Sequence, residues 1–213
     1  MLKKKRISFY ISIVLSLIFS ALIILKLLEL RNDRFLNKQK SEQVERILTE
    51  GEQLIVGSYD APNSLLVYYS YECKYCRHFF FNIYPEIYDA FVKNNRINII
   101  LKPINLTENE AMTKAYNLLY CLNRLGLFEE LHQILLNHHK AVTDQEIMVF
   151  QNNLTMENDE IAECLMIQER QPQYLKNNKE LSLLHRNEVP VFIINKRIFK
   201  GKITTDEIKK AIK

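Results

Sequence analysis

At 213 residues, 47% of them hydrophobic, the chain is long enough for one well-cored domain with room for a subdomain. Its net charge of +4 does not belong to that domain. Of 29 basic and 25 acidic residues, five basic (Lys3, Lys4, Lys5, Arg6, Lys26) and one acidic (Glu29) fall in the first 30 positions, which leaves 24 of each over residues 31–213. A domain without net charge gives no support to nucleic acid as a partner.

The basic cluster Lys3–Arg6 runs directly into Ile7–Leu25, 19 residues with no charge, proline or glycine. As a helix this stretch would measure about 28 Å, close to the hydrocarbon thickness of a bilayer. The cluster sets the orientation: it stays in the cytoplasm, and the residues after the span face the other side. A cleaved signal peptide is the competing reading. Cleavage after Ser20 or Ala21 would put Ile18 or Phe19 where a small residue is required, which favours an uncleaved anchor over residues 1–30. The expected location is therefore the cell (inner) membrane, single-pass, with residues 53–213 on the periplasmic or other extracytoplasmic side. Residues 31–52 are charged and carry Phe35, Leu36, Val44, Ile47 and Leu48 at spacings that do not sustain heptads. They read as a solvated helical stalk rather than a coiled coil.

The globular part begins with a short strand over 53–56. A turn cluster, Gly57-Ser58-Tyr59-Asp60-Ala61-Pro62-Asn63, leads into a mostly apolar strand over 64–70, as expected of one buried on both faces. Residues 74–94 read as helix with a kink at Pro85, and 97–101 as a strand ended by Pro103. Thr107-Glu108-Asn109-Glu110 has the form of a capping box. Four or five helices should follow, up to about Arg186, another of them capped by Thr143-Asp144-Gln145-Glu146. Beyond Pro190, strands over 191–194 and 197–200 flank an Asn195-Lys196 turn, and Thr204-Thr205-Asp206-Glu207 caps a last helix. Only four glycines and no tryptophan occur, consistent with a helix-rich domain with few tight turns.

Cys73-Lys74-Tyr75-Cys76 is the segment that carries chemistry. A strand that delivers Cys-x-x-Cys onto the first turn of a helix makes a reactive dithiol, because the helix N-terminus favours thiolate over thiol at the first cysteine. Cys76, a helical turn on, is within reach to close a disulfide and should be the more buried, resolving thiol. Lys74 adds positive charge beside Cys73 and Glu72 adds negative charge, so their effects oppose. His78, one turn into the helix, is a candidate for tuning the thiolate. Tyr75, between the cysteines, is a candidate for contact with substrate. Zinc is the competing reading of Cys-x-x-Cys, but a closed structural site needs four ligands. Cys121 and Cys164 stand alone, with no histidine pair at ligand spacing beside them. No metal and no cofactor beyond the redox-active disulfide itself is expected. His132, His138, His139 and His185 fall in helical segments and read as structural or surface histidines. The aromatic group from Tyr68 to Tyr84 reads mostly as core; Phe150 and Ile134-Leu135-Leu136 fit a peptide groove or the core equally well.

From about residue 55 onward the sequence resembles the DsbA-like thiol:disulfide oxidoreductases. The resemblance rests on the Asp60-Ala61-Pro62 turn, the strand into Cys73-Lys74-Tyr75-Cys76, Cys121-x4-Gly126-x-Phe128-x3-His132, and Glu188-Val189-Pro190-Val191-Phe192. It implies an α/β thioredoxin-like fold with a helical insertion at about 105–187. It also implies a cis Pro190 facing the dithiol, with Val189 beside it. By the same resemblance the function is oxidation of reduced exported or unfolded proteins, with reoxidation by a quinone-linked membrane partner of the DsbB kind. Reduction or isomerisation on the same fold is the alternative, and metal delivery through the cysteine pair a more remote one. Val189 and the lack of a dimerisation domain before the fold lean towards oxidation.

Cys121 and Cys164 lie where similar proteins often carry a bridge, and an exported domain with an even cysteine count favours one; two free buried thiols are the other reading. The chain departs from its relatives at Lys74, where they usually have proline. It departs again at Val67 and Ser70, where they often have an acid that helps move protons at the inner cysteine.

Overall fold

The computed structural model describes residues 2–49, 52–107, 109–137, 143–157, 159–170 and 172–212. Two compact units divide at residue 49. The first is one continuous helix, α1 (Leu2–Thr49), which joins the expected anchor and stalk without a break. Its apolar residues from Leu17 to Leu28 are exposed. The side chains of residues 2–16, which include half of the expected span, lie outside the described residues, and among those described no helix is long and apolar enough to cross a membrane.

The second unit is built on a sheet of strands β1 (Leu54–Val56), β2 (Ser64–Tyr69), β3 (Asn98–Pro103), β4 (Val191–Ile194) and β5 (Arg197–Lys200) in the order β1-β3-β2-β4-β5. Only β2 and β3 are parallel, with Val67 opposite Leu101; every other pairing is antiparallel. Alternation sorts the strand residues by face. Leu65, Val67, Tyr69, Ile99, Leu101, Phe192 and Ile194 join the main core with Cys76, Phe79 and Phe80. Leu66, Tyr68, Ile100, Lys102, Val191 and Ile193 lie on the other face and are buried as well. A charged residue at such a position needs a partner. Lys102 is 1% exposed and donates to Glu180 on the covering helix at 2.6 Å; Tyr68 donates to the same carboxylate at 3.0 Å.

Between β2 and β3 the helical run is unbroken from Lys74 to Val92, with Pro85 in the first turn of its second α segment rather than at a break. Short α-helices α2 (Lys74–His78) and α3 (Tyr84–Ile87) alternate with π-turns at Phe79–Ile83 and Tyr88–Val92. Proline has no N–H to donate, and the Tyr84 N–H before it reaches back five residues to the Phe79 carbonyl. Gly57, at φ +97°, closes the β1–β2 connection. A Cβ there would stand 2.7 Å from Val92 Cγ1, so any other residue would be strained at this φ and would push Val92 aside.

The insertion holds α4 (Glu110–Arg124), α5 (Phe128–Asn137), α6 (Asp144–Glu157), α7 (Asp159–Arg170) and α8 (Gln173–Leu183). The expected capping box at residues 107–110 is not formed. Asn109 caps α4 by accepting from Met112 N–H at 3.2 Å, while Thr107 turns to Glu72. The boxes at Thr143/Glu146 and Thr204/Glu207 do form, the latter before α9 (Thr205–Ile212). Asn195 and Lys196, both left-handed, make the tight β4–β5 hairpin. Glu108, His138 and His139 lie outside the described residues.

Cys121 on α4 and Cys164 on α7 are bonded to each other, both buried, and close a 43-residue loop. Tethering the two helices in the unfolded chain as in the folded one lowers the entropy gained on unfolding. The Cys121→Ala/Cys164→Ala variant should lose about 2–4 kcal/mol of stability by urea titration while keeping thiol exchange at Cys73.

Candidate active site

The dithiol sits where β2 meets α2. Cys73 is the N-cap of α2, in extended conformation, and its Sγ accepts from the Cys76 N–H at 3.2 Å. It does there what a capping serine or aspartate does, satisfying an N–H that the helix cannot. A turn closed by Cys73 N–H to the Ser70 carbonyl at 3.1 Å brings the strand end round to the helix. The neighbouring side chains tie this turn to the core. Tyr71 bonds His132 Nδ1 at 2.6 Å and Tyr69 at 3.1 Å, and its carbonyl accepts from the Arg77 guanidinium at 2.8 Å.

This gives each member of Cys121-x4-Gly126-x-Phe128-x3-His132 a physical task. Cys121 ties α4 to α7. Gly126, left-handed, ends α4 with the Leu127 N–H returning to the Leu122 carbonyl. Phe128 stacks on the His132 ring, 4.9 Å between centroids, and His132 holds Tyr71, two residues ahead of Cys73. Burial holds the His132 pKa down to about 3, so the ring stays neutral. His132 is thus a positioning residue of the core.

On the far side of Cys73 lies the segment before β4. The Val189–Pro190 peptide is cis. In the thiol form Cys73 Sγ donates to the Val189 carbonyl at 3.4 Å. Pro190 is buried and Val189 half-buried. Tyr75 is 51% exposed, with Lys202 Nζ 6.0 Å from its ring centroid.

The two thiols differ sharply. Cys73 is half-buried and its pKa is drawn down to about 6. The Cys76 thiol contributes most, followed by the backbone N–H groups of Cys76 and Tyr75 and the charge of Arg77, all against an opposing cost of burial. Cys76 is 1% exposed, and burial first, then the neighbouring Cys73, pushes its thiol far above the ordinary value. Near neutrality the pair therefore holds a thiolate outside and a thiol inside.

The cation that matters is Arg77, which the sequence reading passed over. Its position on the inner side of α2, one turn from Cys73, was the available signal. Lys74 and His78 are exposed and rank behind Arg77 in their effect on Cys73, and the His78 ring meets Asn82. Val67 and Ser70 are fully buried; the Ser70 hydroxyl lies 3.4 Å from Tyr116 OH, and among the described residues no Asp or Glu is buried in the core. Phe81 is exposed and Phe150 half-buried, whereas Leu135 and Leu136 belong to the core. Among the described residues no cluster of His, Cys, Asp or Glu could hold a metal ion.

A strand ending in Cys-x-x-Cys at a helix N-terminus, opposite a cis-proline segment, defines the thioredoxin-like thiol–disulfide oxidoreductase fold. The chain belongs to the thioredoxin family, whose model matches residues 49–213. None of the curated proteins matches it. Among solved structures it is similar to the thiol-disulfide exchange protein α-DsbA2 of Wolbachia pipientis (TM-score 0.68, 16% identity, 83% of this chain and 94% of that one). It is also similar to oxidised BdbD of Bacillus subtilis (0.59, 19%, 76% and 91%) and to the catalytic domain of Proteus mirabilis ScsC (0.58, 16%, 83% and 96%). At these identities the likeness is one of fold.

Alkylation of the reduced protein by iodoacetamide should show one reactive thiol, Cys73, with a midpoint near pH 6 rather than the ordinary value of about 8.5. The sign follows from the lowered pKa. The thiolate's stabilisation of the reduced fold is fully present above about pH 8.5 and is lost as pH falls through 6. The melting temperature of the reduced form, relative to the disulfide form, should fall over that window. Arg77→Met should move the midpoint up.

Proposed function

We propose that the protein is a dithiol oxidase that introduces disulfide bonds into reduced exported proteins. The observation that carries this reading is the low-pKa Cys73 at the α2 N-terminus paired with a buried Cys76 thiol. With Cys73 and Cys76 joined, a substrate thiolate attacks Cys73 Sγ. The Cys73–Cys76 bond breaks, Cys76 leaves and takes up a proton, and a mixed disulfide forms at Cys73. A second substrate thiolate then attacks the substrate sulfur of that mixed disulfide. Cys73 departs as thiolate, the substrate carries the new disulfide, and the dithiol holds the two electrons. A stabilised Cys73 thiolate is a good leaving group in the second step, and it stabilises the reduced state of the pair, which makes the disulfide the stronger oxidant. The Val189 carbonyl lies beside the reacting sulfur and the exposed Tyr75 ring lies between the two cysteines in sequence, which makes both candidates to meet the substrate chain.

The same reading places the protein in the cell membrane with its catalytic domain on the extracytoplasmic side, recycled by a quinone-linked membrane oxidase. The exposed apolar side chains from Leu17 to Leu28 support it, since such a surface needs a covering other than water.

Equilibration with glutathione redox buffers tests the direction. An oxidase should sit near the oxidising end of the thioredoxin-fold range, closer to about −120 mV than to −270 mV, whereas a value near thioredoxin's would assign a reductase. Cys76→Ala should accumulate mixed disulfides through Cys73, visible on non-reducing gels. Alkaline carbonate should leave the full chain in the membrane pellet; release with a new N-terminus near residue 21 would show a cleaved leader instead.

A further inference from the structure

Glu72 precedes the reactive cysteine directly, and a carboxylate so close to a thiolate works against it. In the structure the carboxylate is engaged elsewhere. Thr107, in the loop between β3 and α4, presents its hydroxyl to both Glu72 oxygens, at 2.8 and 3.0 Å. The Glu72 N–H is fixed as well, donating to the buried Ser70 hydroxyl at 3.3 Å. We infer that Thr107 is a positioning residue for the dithiol: it holds the Glu72 carboxylate towards α4 and off Cys73 Sγ, so that the positive end of α2 acts on the thiolate unopposed.

Two observations agree with this placement. The strongest influences on the Cys73 thiol are Cys76, the N–H groups of Cys76 and Tyr75, and Arg77, each ahead of Glu72. The charge of Glu72 is felt at Tyr116 on α4, where burial is the main influence and Glu72 adds to it. Among the neighbouring groups, the Val189 carbonyl is a neutral acceptor for Cys73 Sγ, Glu188 is paired with Lys200 at 3.4 Å, and Lys74 and His78 are exposed on α2. Glu72 is therefore the one carboxylate of the Ser70–Arg77 turn, and Thr107 is the described group that restrains its side chain.

The inference deepens the proposed function without depending on its direction, because it concerns the acidity of Cys73 whether the pair oxidises or reduces. The test is the pH profile of Cys73 alkylation in the reduced full chain. Thr107→Val keeps the shape of the side chain and removes the hydroxyl, freeing the carboxylate. Its midpoint should rise by about one pH unit, the lower end of the effect of a charge within a few ångströms of a titrating group. Thr107→Ser restores the hydroxyl and should restore the wild-type midpoint. In a Glu72→Gln background the Thr107→Val change should have no effect, since the charge it releases is gone. An unmoved midpoint in Thr107→Val, or the same rise with and without Glu72, would overturn the inference. A wild-type midpoint at the ordinary thiol value would instead count against the activated thiolate of the proposed function, and the two failures are thus told apart.

Discussion

One hydrogen bond organises the site: the Cys76 N–H to Cys73 Sγ, 3.2 Å across the first turn of α2. A helix always leaves N–H groups without partners at its start, and a polarisable anion is a suitable acceptor for them. Making the capping atom a sulfur turns a structural need into a chemical property, since whatever satisfies the helix also holds the thiol ionised. Much of the nearby architecture keeps this cap in register. Tyr71, His132 and Arg77 fix the turn from the core side, the Ser70 carbonyl closes it, and the cis Val189–Pro190 segment bounds it from the other.

The helical insertion is part of that scaffold rather than an ornament on it. His132 on α5 reaches Tyr71, Tyr116 on α4 reaches both Ser70 and the Ile104 carbonyl, and Thr107 at the entry to α4 reaches Glu72. Three consecutive residues ahead of Cys73 are thus each met by the insertion. The Cys121–Cys164 bond, by joining α4 to α7, firms the support from which two of these contacts are made.

Much of this was legible in the sequence, where the signal is local. Alternation and apolar runs gave the strands to within a residue or two, and Thr143/Glu146 and Thr204/Glu207 formed the boxes their spacing announced. Asn195-Lys196 made the expected hairpin turn. The failures are at positions where a residue had two partners to choose from. Thr107 has the spacing of a helix cap, yet a carboxylate from a distant strand end outcompetes its own helix, and Asn109 takes the cap. Lys74 is nearer to Cys73 in sequence than Arg77, but at the first position of α2 its long side chain points to solvent, while Arg77 folds back to the Tyr71 carbonyl. His132 could be expected to have a partner, but which one depends on how α5 packs, and no local pattern encodes that.

The burial of Cys76 also bears on the timing of exchange. When the Cys73–Cys76 bond is opened at Cys73, Cys76 is freed into a core that water barely reaches, where a sulfur anion is costly and the protonated form is favoured. Once protonated it is a poor nucleophile, and the step back to the starting disulfide waits on the rare moment when that proton is lost. The core around one sulfur thus acts as a pawl: by favouring the protonated Cys76 it opposes return to the starting disulfide once that bond has been opened.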